Sequence, residues 1–493
     1  MLTKTSAHSS NGIHHLSEMK QKVIETLEAQ RTFFASNVTK DYDFRVTQLK
    51  KLKKAMVKHE KALLDALKLD LNKSKIEAYG SEIGLTISEI DHTIKHLKKW
   101  MRNKKVSTPL FHFKASSYIK ATPYGSNLII GPWNYPFQLL IVPLVGAISA
   151  GNTAILKPSE LAPHTAAVVS ELIKETFEEH YVAIFEGGID MSQALLAEKF
   201  DYIFFTGSTQ VGKIVYQAAA KHLTPVTLEL GGKSPCIVDK DTDLDLTARR
   251  IAWGKFLNAG QTCVAPDYIM VHSEAKDELV KHLKKHIEKF FTTTPKESPY
   301  FGRIINDRHV KRLAGLMTCG NILYGGDISH KDRYISPTLI DDVTDDDAIM
   351  QEEIFGPLIP IVEWTQEEEV IKYINEHAKP LALYLFSKNR KLIDKVINET
   401  SSGGVAINDT VVHMTTAEMP FGGVGESGLG AYHGKYSFDT FSHQKAVMER
   451  STLIDPPLRY APFKLTMGAL RFLMRHTFSV SYTHLRAHET SEN

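Results

Sequence analysis

The chain is predicted to fold as an α/β protein with two doubly wound lobes, and three observations predict this. Its 493 residues are 43% hydrophobic and 24% charged, which is typical of a globular protein with more than one domain. After Pro123, short apolar runs alternate with helical stretches, which favours a parallel sheet covered by helices. A second set of such runs begins after the Gly-Gly step at 231–232, which marks a domain boundary.

The first part of the chain is predicted to be helical. Residues 20–103 carry apolar side chains three and four positions apart and contain few helix breakers. The lysine-rich stretch 50–61 has apolar neighbours at helical spacing, so a solvated helix face is favoured over a nucleic-acid site. The formal net charge of +2 likewise favours no nucleic-acid partner.

Strands are predicted next, in two groups, with helices between them. The predicted strands are 128–130, 153–156, 182–185 and 202–206 in the first lobe, and 236–239, 268–271, 381–386 and 404–408 in the second. A helix is predicted over 163–179, with proline at its first position. Parallel sheets bind ligands beyond the carboxyl ends of their strands, so the expected site is a cleft between the lobes.

Cys263 and Glu229 are the candidate catalytic pair. Cys263 ends the run Asn-Ala-Gly-Gln-Thr-Cys, and Glu229 stands in Leu-Glu-Leu-Gly-Gly. A thiolate can attack an electrophilic carbon, and a carboxylate can later activate water to release the product. The alternative, a buried inert cysteine, is common in proteins, but the flanking glycines and the acid make it less favoured here.

A dinucleotide site is predicted in the first lobe. Gly207, Ser208 and Gly212 lie between a strand and a helix, where a helix N-terminus can face a pyrophosphate, although a plain turn is the alternative. Lys157 and Glu160 follow another strand. A carboxylate there can accept hydrogen bonds from ribose hydroxyls and would favour NAD over NADP, while the alternative is a helix cap.

Two further motifs offer groups for chemistry at the same cleft. In Gly-Pro-Trp-Asn-Tyr-Pro-Phe, prolines restrict the backbone around Trp133 and Asn134, and a rigid amide can donate to a developing oxyanion. In Gln-Glu-Glu-Ile-Phe-Gly-Pro, Glu353 offers a carboxylate for a second ribose, and Phe355 offers a ring beside a nicotinamide. A structural turn and a helix end followed by a turn are the respective alternatives.

The spacing of the cysteines and the composition of the two termini indicate the cellular location of the protein. Cys236, Cys263 and Cys319 are widely spaced, which predicts no disulfide framework and no metal site, and fits a reducing, cytoplasmic location. No secretory leader is recognised, and no apolar run approaches the roughly 18 residues of a membrane span. The basic amphipathic segment 463–475 is predicted to dock in a subunit contact, with peripheral membrane contact as the alternative. Residues 480–493 resemble translated adaptor sequence and are expected to be non-native.

Together these motifs resemble those of aldehyde dehydrogenases, most of all the class 3 type, from about residue 20 to about residue 460. The motifs that carry the resemblance are Pro-Trp-Asn-Tyr-Pro, Lys-Pro-Ser-Glu, Phe-Thr-Gly-Ser, Leu-Glu-Leu-Gly-Gly, Gly-Gln-Thr-Cys, Glu-Glu-Ile-Phe-Gly-Pro and Pro-Phe-Gly-Gly. The class 3 character comes from 185–188, 224–229 and 432–435. Each motif is modest alone, but together and in family order they are specific.

The resemblance implies oxidation of medium-chain, long-chain or aromatic aldehydes to carboxylic acids, with NAD as cofactor and NADP as an alternative. Cys263 would carry a thiohemiacetal and then a thioester, its ionisation helped by N–H dipoles and the nicotinamide ring. Asn134 and the Cys263 backbone N–H would stabilise the oxyanion, and Glu229 would activate water. The implied cofactor contacts are Trp133, Lys157, Glu160, Gly207, Ser208, Gly212, Glu353 and Phe355.

The sequence departs from the family at one position, since Tyr432 stands where many members carry another acid. A CoA-acylating enzyme is the alternative chemistry, but it would need no base at Glu229. A catalytically inactive homologue is disfavoured because Cys263, Glu229 and Asn134 are all present. Segments 106–121 and 435–447 resemble bridging elements of the family, which implies a homodimer.

The resemblance and the strand pattern together predict the domain boundaries. They are 1–105 for the helical part of the cofactor domain, 106–121 for a small bridging β element, 122–230 for the Rossmann-like domain, 231–420 for the catalytic domain, and 421–479 for the return and docking segments.

Overall fold

A computed structural model describes residues 6–109, 112–455 and 460–479. The predicted non-native tail, 480–493, lies outside these residues. The α-helices are α1 (Ser6–Ala35), α2 (Tyr42–Leu71), α3 (Lys75–Ala78), α4 (Gly84–Trp100), α5 (Gln138–Ala150), α6 (Pro163–Thr176), α7 (Ile189–Ala197), α8 (Thr209–Ala220), α9 (Leu244–Phe256), α10 (Lys276–Phe291), α11 (Asp307–Leu316), α12 (Ala348–Gln351), α13 (Glu367–Glu376), α14 (Arg390–Glu399), α15 (Gly434–Thr440) and α16 (Met467–Ser479). A π-helical turn, Tyr79–Ile83, joins α3 to α4.

The strands form three main sheets and one short two-stranded ribbon within the described residues. They are β1 (Lys104–Val106), β2 (Ala115–Pro123), β3 (Ser126–Ile130), β4 (Thr153–Lys157), β5 (Val182–Ile184), β6 (Tyr202–Thr206), β7 (Val226–Glu229), β8 (Pro235–Val238), β9 (Tyr268–His272), β10 (Asn321–Tyr324), β11 (Ile328–Ser329), β12 (Tyr334–Ile335), β13 (Thr338–Asp341), β14 (Leu358–Trp364), β15 (Ala382–Phe386), β16 (Gly404–Ile407), β17 (Gly428–Leu429) and β18 (Ser442–Arg450).

The lysine-rich stretch lies on α2, as the spacing predicted. The Asp41 side chain caps this helix by accepting a hydrogen bond from the Phe44 N–H at 2.8 Å, and Asn72 ends it with a left-handed φ of 57°. Its apolar face is fully buried, at Leu49, Leu52, Met56, Leu63 and Leu67. The helical prediction for this part of the chain is confirmed.

The first sheet has the order β17-β7-β6-β3-β4-β5, and only β17 runs antiparallel to its neighbour. All four strands predicted for the first lobe are present, and α6 begins at Pro163 as predicted but ends at Thr176 rather than 179. The chain moves outward from β3 through β4 to β5, then returns to place β6 on the other side of β3. The topological switch point, where doubly wound sheets bind ligands, therefore lies between β3 and β6.

The second sheet has the order β10-β13-β14-β9-β8-β15-β16, with only β10 antiparallel to its neighbour. It contains all four strands predicted for the second lobe, as β8, β9, β15 and β16. Strands β8, β9 and β15 are buried along their whole length, because helices cover both faces. The α/β prediction with two lobes is thus confirmed.

A small antiparallel sheet, β1-β2-β18, shares no strand with the sheets of the two lobes. Strand β18 pairs with β2 from Ser442↔Pro123 to Arg450↔Ala115, and most of its residues are exposed. The predicted bridging segment 435–447 is only partly strand, since residues up to Thr440 belong to α15. The helical conformation there buries Phe438 beside Trp100. Over the described ranges, no helix is long and apolar enough to cross a membrane.

Candidate active site

Cys263 lies just after α9, on a loop with unusual backbone geometry. Asn258 and Ala259 are both left-handed, with φ of 51° and 52°, so the chain reverses sharply before it reaches the thiol. Cys263 itself remains partly exposed. Burial of its thiol, followed by the nearby carboxyl groups of Glu353 and Glu229, raises the pKa of Cys263 to about 12. Hydrogen bonds from the backbone N–H groups of Cys263 and Val264 lower the pKa of the thiol, as expected, but the effect of burial is larger.

Gln261 clamps this loop. Its side-chain amide donates to the carbonyl oxygens of Asn258 at 3.0 Å and Arg303 at 2.9 Å, and its side-chain oxygen accepts from the Ile305 N–H at 2.9 Å. On the other side of the thiol, the buried Tyr384 hydroxyl donates to the Val264 carbonyl at 2.5 Å. Both ends of the nucleophile loop are therefore held by buried hydrogen bonds.

Asn134 faces this loop from the other lobe. It lies in the turn between β3 and α5, and it is 3% exposed. Its side-chain Nδ2 donates to the Gln261 carbonyl oxygen at 3.0 Å. An amide nitrogen carries two N–H groups, so one remains for a substrate oxygen. The structure brings Asn134 and the Cys263 loop together, as the sequence predicted.

Glu229 is the last residue of β7, and it is 2% exposed. Neither of its carboxyl oxygens has a hydrogen-bond partner among the described residues. Burial therefore raises the pKa of Glu229 well above its usual value. The shift favours the neutral acid over the carboxylate, and the group must lose its proton before it can act as a base.

Two other buried polar groups lie near Glu229. Thr206 is its register partner on β6, and Tyr432 interacts electrostatically with both Glu229 and Cys263. Neither hydroxyl has a partner within the part of the chain that the structure describes. Buried polar groups are normally satisfied, so this cluster is suited to hold water or substrate atoms.

The switch point carries Gly207, Ser208 and Gly212. The Ser208 hydroxyl caps α8 by accepting from the Val211 N–H at 3.4 Å, so the N-terminus of that helix opens at the end of β6. A Cβ at Gly207 would lie 2.5 Å from the Phe205 ring, and one at Gly212 would lie 2.6 Å from Leu230. A bare backbone beside a helix N-terminus fits the pyrophosphate of a dinucleotide.

Lys157 and Glu160 lie at the end of β4, one strand from the switch point. Lys157 is buried and donates to Glu160 Oε2 at 3.0 Å and to the Pro158 carbonyl at 2.8 Å. Glu160 is exposed. The carboxylate is thus available to ribose hydroxyls, while the ammonium group orients it.

Glu353 and Phe355 come from the catalytic lobe. A Cβ at Gly231 would overlap the Glu353 carboxyl group, so position 231 must be glycine for the backbone to lie this close to Glu353. Burial first, and then Asp267, raises the pKa of Glu353 to about 8. Phe355 has a left-handed φ of 48°, and its ring meets Trp133 edge to face with centroids 5.3 Å apart. The two predicted aromatic residues therefore form one wall between the lobes.

Sequence reasoning missed a buried lysine that interacts electrostatically with Glu353. Lys255 on α9 is fully buried, and its ammonium group has no hydrogen-bond partner within the described ranges. Burial lowers the pKa of Lys255 to about 8, against the opposing effect of Asp267. Nothing in the sequence distinguishes it from the solvated lysines of other helices. Gln261 and Tyr384 were missed for a similar reason, because only their tertiary contacts give them a role.

Metal chemistry was not expected from the sequence. Among the residues that the structure describes, no group of three or more His, Cys, Asp or Glu side chains is arranged to hold a metal ion.

Comparison with known proteins gives consistent matches. Residues 9–447 match the model of the aldehyde dehydrogenase family. The chain is 52% identical over 436 residues to 4,4'-diaponeurosporen-aldehyde dehydrogenase of Staphylococcus aureus, covering 88% of this chain and 95% of that one. It is 48% identical over 442 residues to the rat dimeric NADP-preferring aldehyde dehydrogenase, covering 89% and 98%. The fold is similar to the substrate-bound state of Staphylococcus aureus AldH, with a TM-score of 0.89, 50% identity, and 92% and 99% of the two chains covered.

Proposed function

The chain belongs to the aldehyde dehydrogenase family, and from that premise we propose how its residues carry out the reaction. The protein is an NAD(P)-dependent oxidoreductase that oxidises aldehydes to carboxylic acids. The observation that supports the proposed mechanism is that Asn134 contacts the Cys263 loop while Glu229 interacts electrostatically with Cys263. The three groups are the thiol of Cys263, the oriented amide of Asn134 and the carboxyl group of Glu229, whose oxygens have no partner among the described residues.

In the first half-reaction, the Cys263 thiol releases its proton to solvent and attacks the aldehyde carbon as thiolate. A carbon–sulfur bond forms, and the carbonyl π electrons move onto oxygen. The free N–H of Asn134 and the Cys263 backbone N–H donate to that oxyanion, which stabilises the tetrahedral adduct. The hydrogen bond from Asn134 to the Gln261 carbonyl supports this role, because it sets the direction of the remaining N–H before substrate arrives.

A dinucleotide, when bound, would supply the acceptor for the hydride that leaves the substrate carbon. Cys263 would then carry the resulting thioester. Trp133, Glu353 and Phe355 are proposed to hold its nicotinamide end. Gly207, Ser208 and Gly212 are proposed to face the pyrophosphate, and Lys157 with Glu160 the other ribose. The Lys157–Glu160 hydrogen bond supports NAD preference, because a carboxylate held there repels a 2′-phosphate.

In the second half-reaction, Glu229 takes a proton from water, which attacks the thioester carbon. The carbon–sulfur bond breaks, Cys263 leaves as thiolate, and the carboxylic acid product is released. The burial of Glu229 supports this role, because a raised pKa makes its carboxylate a stronger base than an exposed one. A CoA-acylating reaction would need no such base.

The substrates are proposed to be medium-chain, long-chain or aromatic aldehydes. The Staphylococcus aureus relative is named a 4,4'-diaponeurosporen-aldehyde dehydrogenase, which supports an aldehyde as the substrate. We propose that the chain divides at the domain boundaries expected from the sequence and that the active site lies between the domains 122–230 and 231–420.

A cytoplasmic homodimer is proposed. The exposed outer edge of β18 supports pairing between subunits, because an edge strand has unpaired backbone groups. The rat relative is named a dimeric enzyme. Helix α16 exposes Met467, Phe472 and Met474, and a subunit contact is proposed for it, with peripheral membrane contact as the alternative.

The experiment that tests the mechanism follows NADH absorbance with a panel of aliphatic and aromatic aldehydes, with NAD and with NADP. Cys263→Ala is expected to form no NADH with any aldehyde. Glu229→Gln is expected to form about one NADH per active site and then stall, because hydrolysis of the thioester is blocked. Cys319→Ala, at a partly exposed cysteine in the catalytic lobe, is the control and should turn over normally. Full steady-state turnover in either active-site variant would contradict the proposed roles.

A further inference from the structure

A buried ion pair lies behind the candidate active site. Lys73 follows α2, and Glu82 belongs to the π-helical turn Tyr79–Ile83. Both side chains are fully buried, and Lys73 Nζ lies 2.5 Å from Glu82 Oε1. Removing two charges from water is costly, so such a pair is a poor source of stability. Its significance lies in what the two groups contact.

Both partners hold the turn that carries Asn134. The Lys73 ammonium donates to the Asn134 carbonyl oxygen at 2.9 Å and lies 3.8 Å from the centre of the Tyr135 ring. The second oxygen of Glu82 accepts from the N–H groups of Phe137 at 2.9 Å and Gln138 at 3.4 Å. The cation therefore fixes the start of the turn, and the carboxylate fixes its end, where α5 begins.

The same turn is tied to the nucleophile loop. The Asn134 carbonyl that accepts from Lys73 also accepts from Asn258 Nδ2 at 2.9 Å, and the Asn258 N–H donates to Glu77 Oε1 at 2.8 Å. The hydroxyls of Tyr135 and Thr262 are 2.7 Å apart. One carbonyl oxygen is thus a shared anchor for the oxyanion donor and for the loop of Cys263.

We propose that Lys73 and Glu82 are positioning residues, which set the distance between the Asn134 amide and the Cys263 sulfur. Lys73 does so by holding the Asn134 carbonyl, and Glu82 by holding Lys73 and the end of the same turn. This inference rests on the proposed roles of Asn134 and Cys263. Neither Lys73 nor Glu82 is required to touch the substrate or to exchange a proton. Their effect is on the geometry in which the tetrahedral adduct forms.

The variant that tests this is Lys73→Met/Glu82→Gln, which removes both charges and leaves neither unpaired. Formation of NADH in a single turnover, with enzyme in excess over an aldehyde that the wild type oxidises, is expected to slow by about 10- to 100-fold, because misplacement by an ångström has effects of that size. Alkylation of Cys263 by iodoacetamide needs no oxyanion donor. Its rate and the KM for NAD are expected to stay within about twofold of the wild-type values.

The same substitutions in an Asn134→Ala background separate positioning from general damage. There they are expected to change the single-turnover rate by less than about twofold, because the ion pair acts through Asn134. Equal losses in both backgrounds, slowed alkylation, or a wild-type rate in the folded double variant would each overturn the inference. If Asn134→Ala alone kept the wild-type rate, the proposed mechanism would fail instead.

The matched control is Lys53→Met/Asp91→Asn, which removes an exposed ion pair of 2.6 Å between α2 and α4 and should change none of these rates. If the buried double variant does not fold, Lys73→Arg provides the test. The planar guanidinium of arginine keeps the positive charge that pairs with Glu82. It cannot occupy the position of the compact ammonium group, which contacts both Glu82 and the Asn134 carbonyl. A slower single turnover with unchanged alkylation supports the inference, and a wild-type rate overturns it.

Discussion

The thiol of Cys263 should ionise only at high pH in the free protein. Burial and two carboxyl groups raise its pKa from an ordinary value of 9.0 to about 12. Since one pKa unit corresponds to about 1.4 kcal/mol, the thiolate is disfavoured by about 4 kcal/mol relative to an ordinary cysteine. At pH 8 only about one thiol in ten thousand is then ionised, compared with about one in ten for the unperturbed group.

The assay is the rate of iodoacetamide alkylation at Cys263 between pH 6 and 10, read by mass spectrometry of the peptide. The rate is expected to rise about tenfold for each pH unit without levelling off, because the thiolate is the reactive form. Adding NAD is expected to raise the rate at a fixed pH, since its nicotinamide ring is positively charged. Cys319 is partly exposed and serves as the internal reference.

Glu353→Gln tests the electrostatic part of this reasoning. The pKa of Glu353 is about 8, so its carboxylate opposes thiol ionisation only above that pH. The variant should therefore alkylate faster than the wild type above pH 8 and at a similar rate below pH 7. Glu352→Gln, at the exposed neighbour, is the control. A plateau in the wild-type rate below pH 9 would refute the reasoning, because it would show that burial does not dominate at the thiol.

Three further outcomes follow from the structure. The raised pKa of Glu229 means that the wild type loses stability as pH rises above the usual range of a carboxyl group. The free energy of unfolding of Glu229→Gln relative to wild type, measured by denaturant titration, should therefore increase from pH 6 to pH 9 by up to about 1.4 kcal/mol per pH unit, and a constant difference would contradict this. Gly207→Ala should weaken dinucleotide binding, measured by calorimetry, about tenfold, since the alanine Cβ would lie 2.5 Å from the Phe205 ring. Alkylation of Cys263 in the absence of NAD should stay unchanged, and an unaltered affinity would remove Gly207 from the site. Tyr384→Phe should lower the free energy of unfolding, measured by denaturant titration, by about 1–3 kcal/mol, because the buried Val264 carbonyl loses its hydrogen-bond donor. An unchanged unfolding midpoint would show that this hydrogen bond contributes little to stability.

Much of the fold could be predicted from the sequence because its signals are local. Strands β3, β4, β5 and β6 are continuous apolar runs that end in turn-forming residues, so both their existence and the order of the motifs after them are visible in the chain. The helical part of 435–447 was missed, because α15 forms by burying Phe438 against residues distant in sequence. Segment boundaries set by such packing leave no local trace.

The candidate site divides in the same way. The sequence by itself determined the chemical groups that follow each strand, including Asn134, Glu229 and Cys263, since residue type and strand order are properties of the chain. Only the tertiary structure decided that Asn134 donates to Gln261, that Lys73 and Glu82 stand behind it, and that burial raises the pKa values of Glu229 and Cys263. These features depend on which side chains exclude water from one another. That is decided by segments more than a hundred residues apart, as Asn134 and Gln261 are.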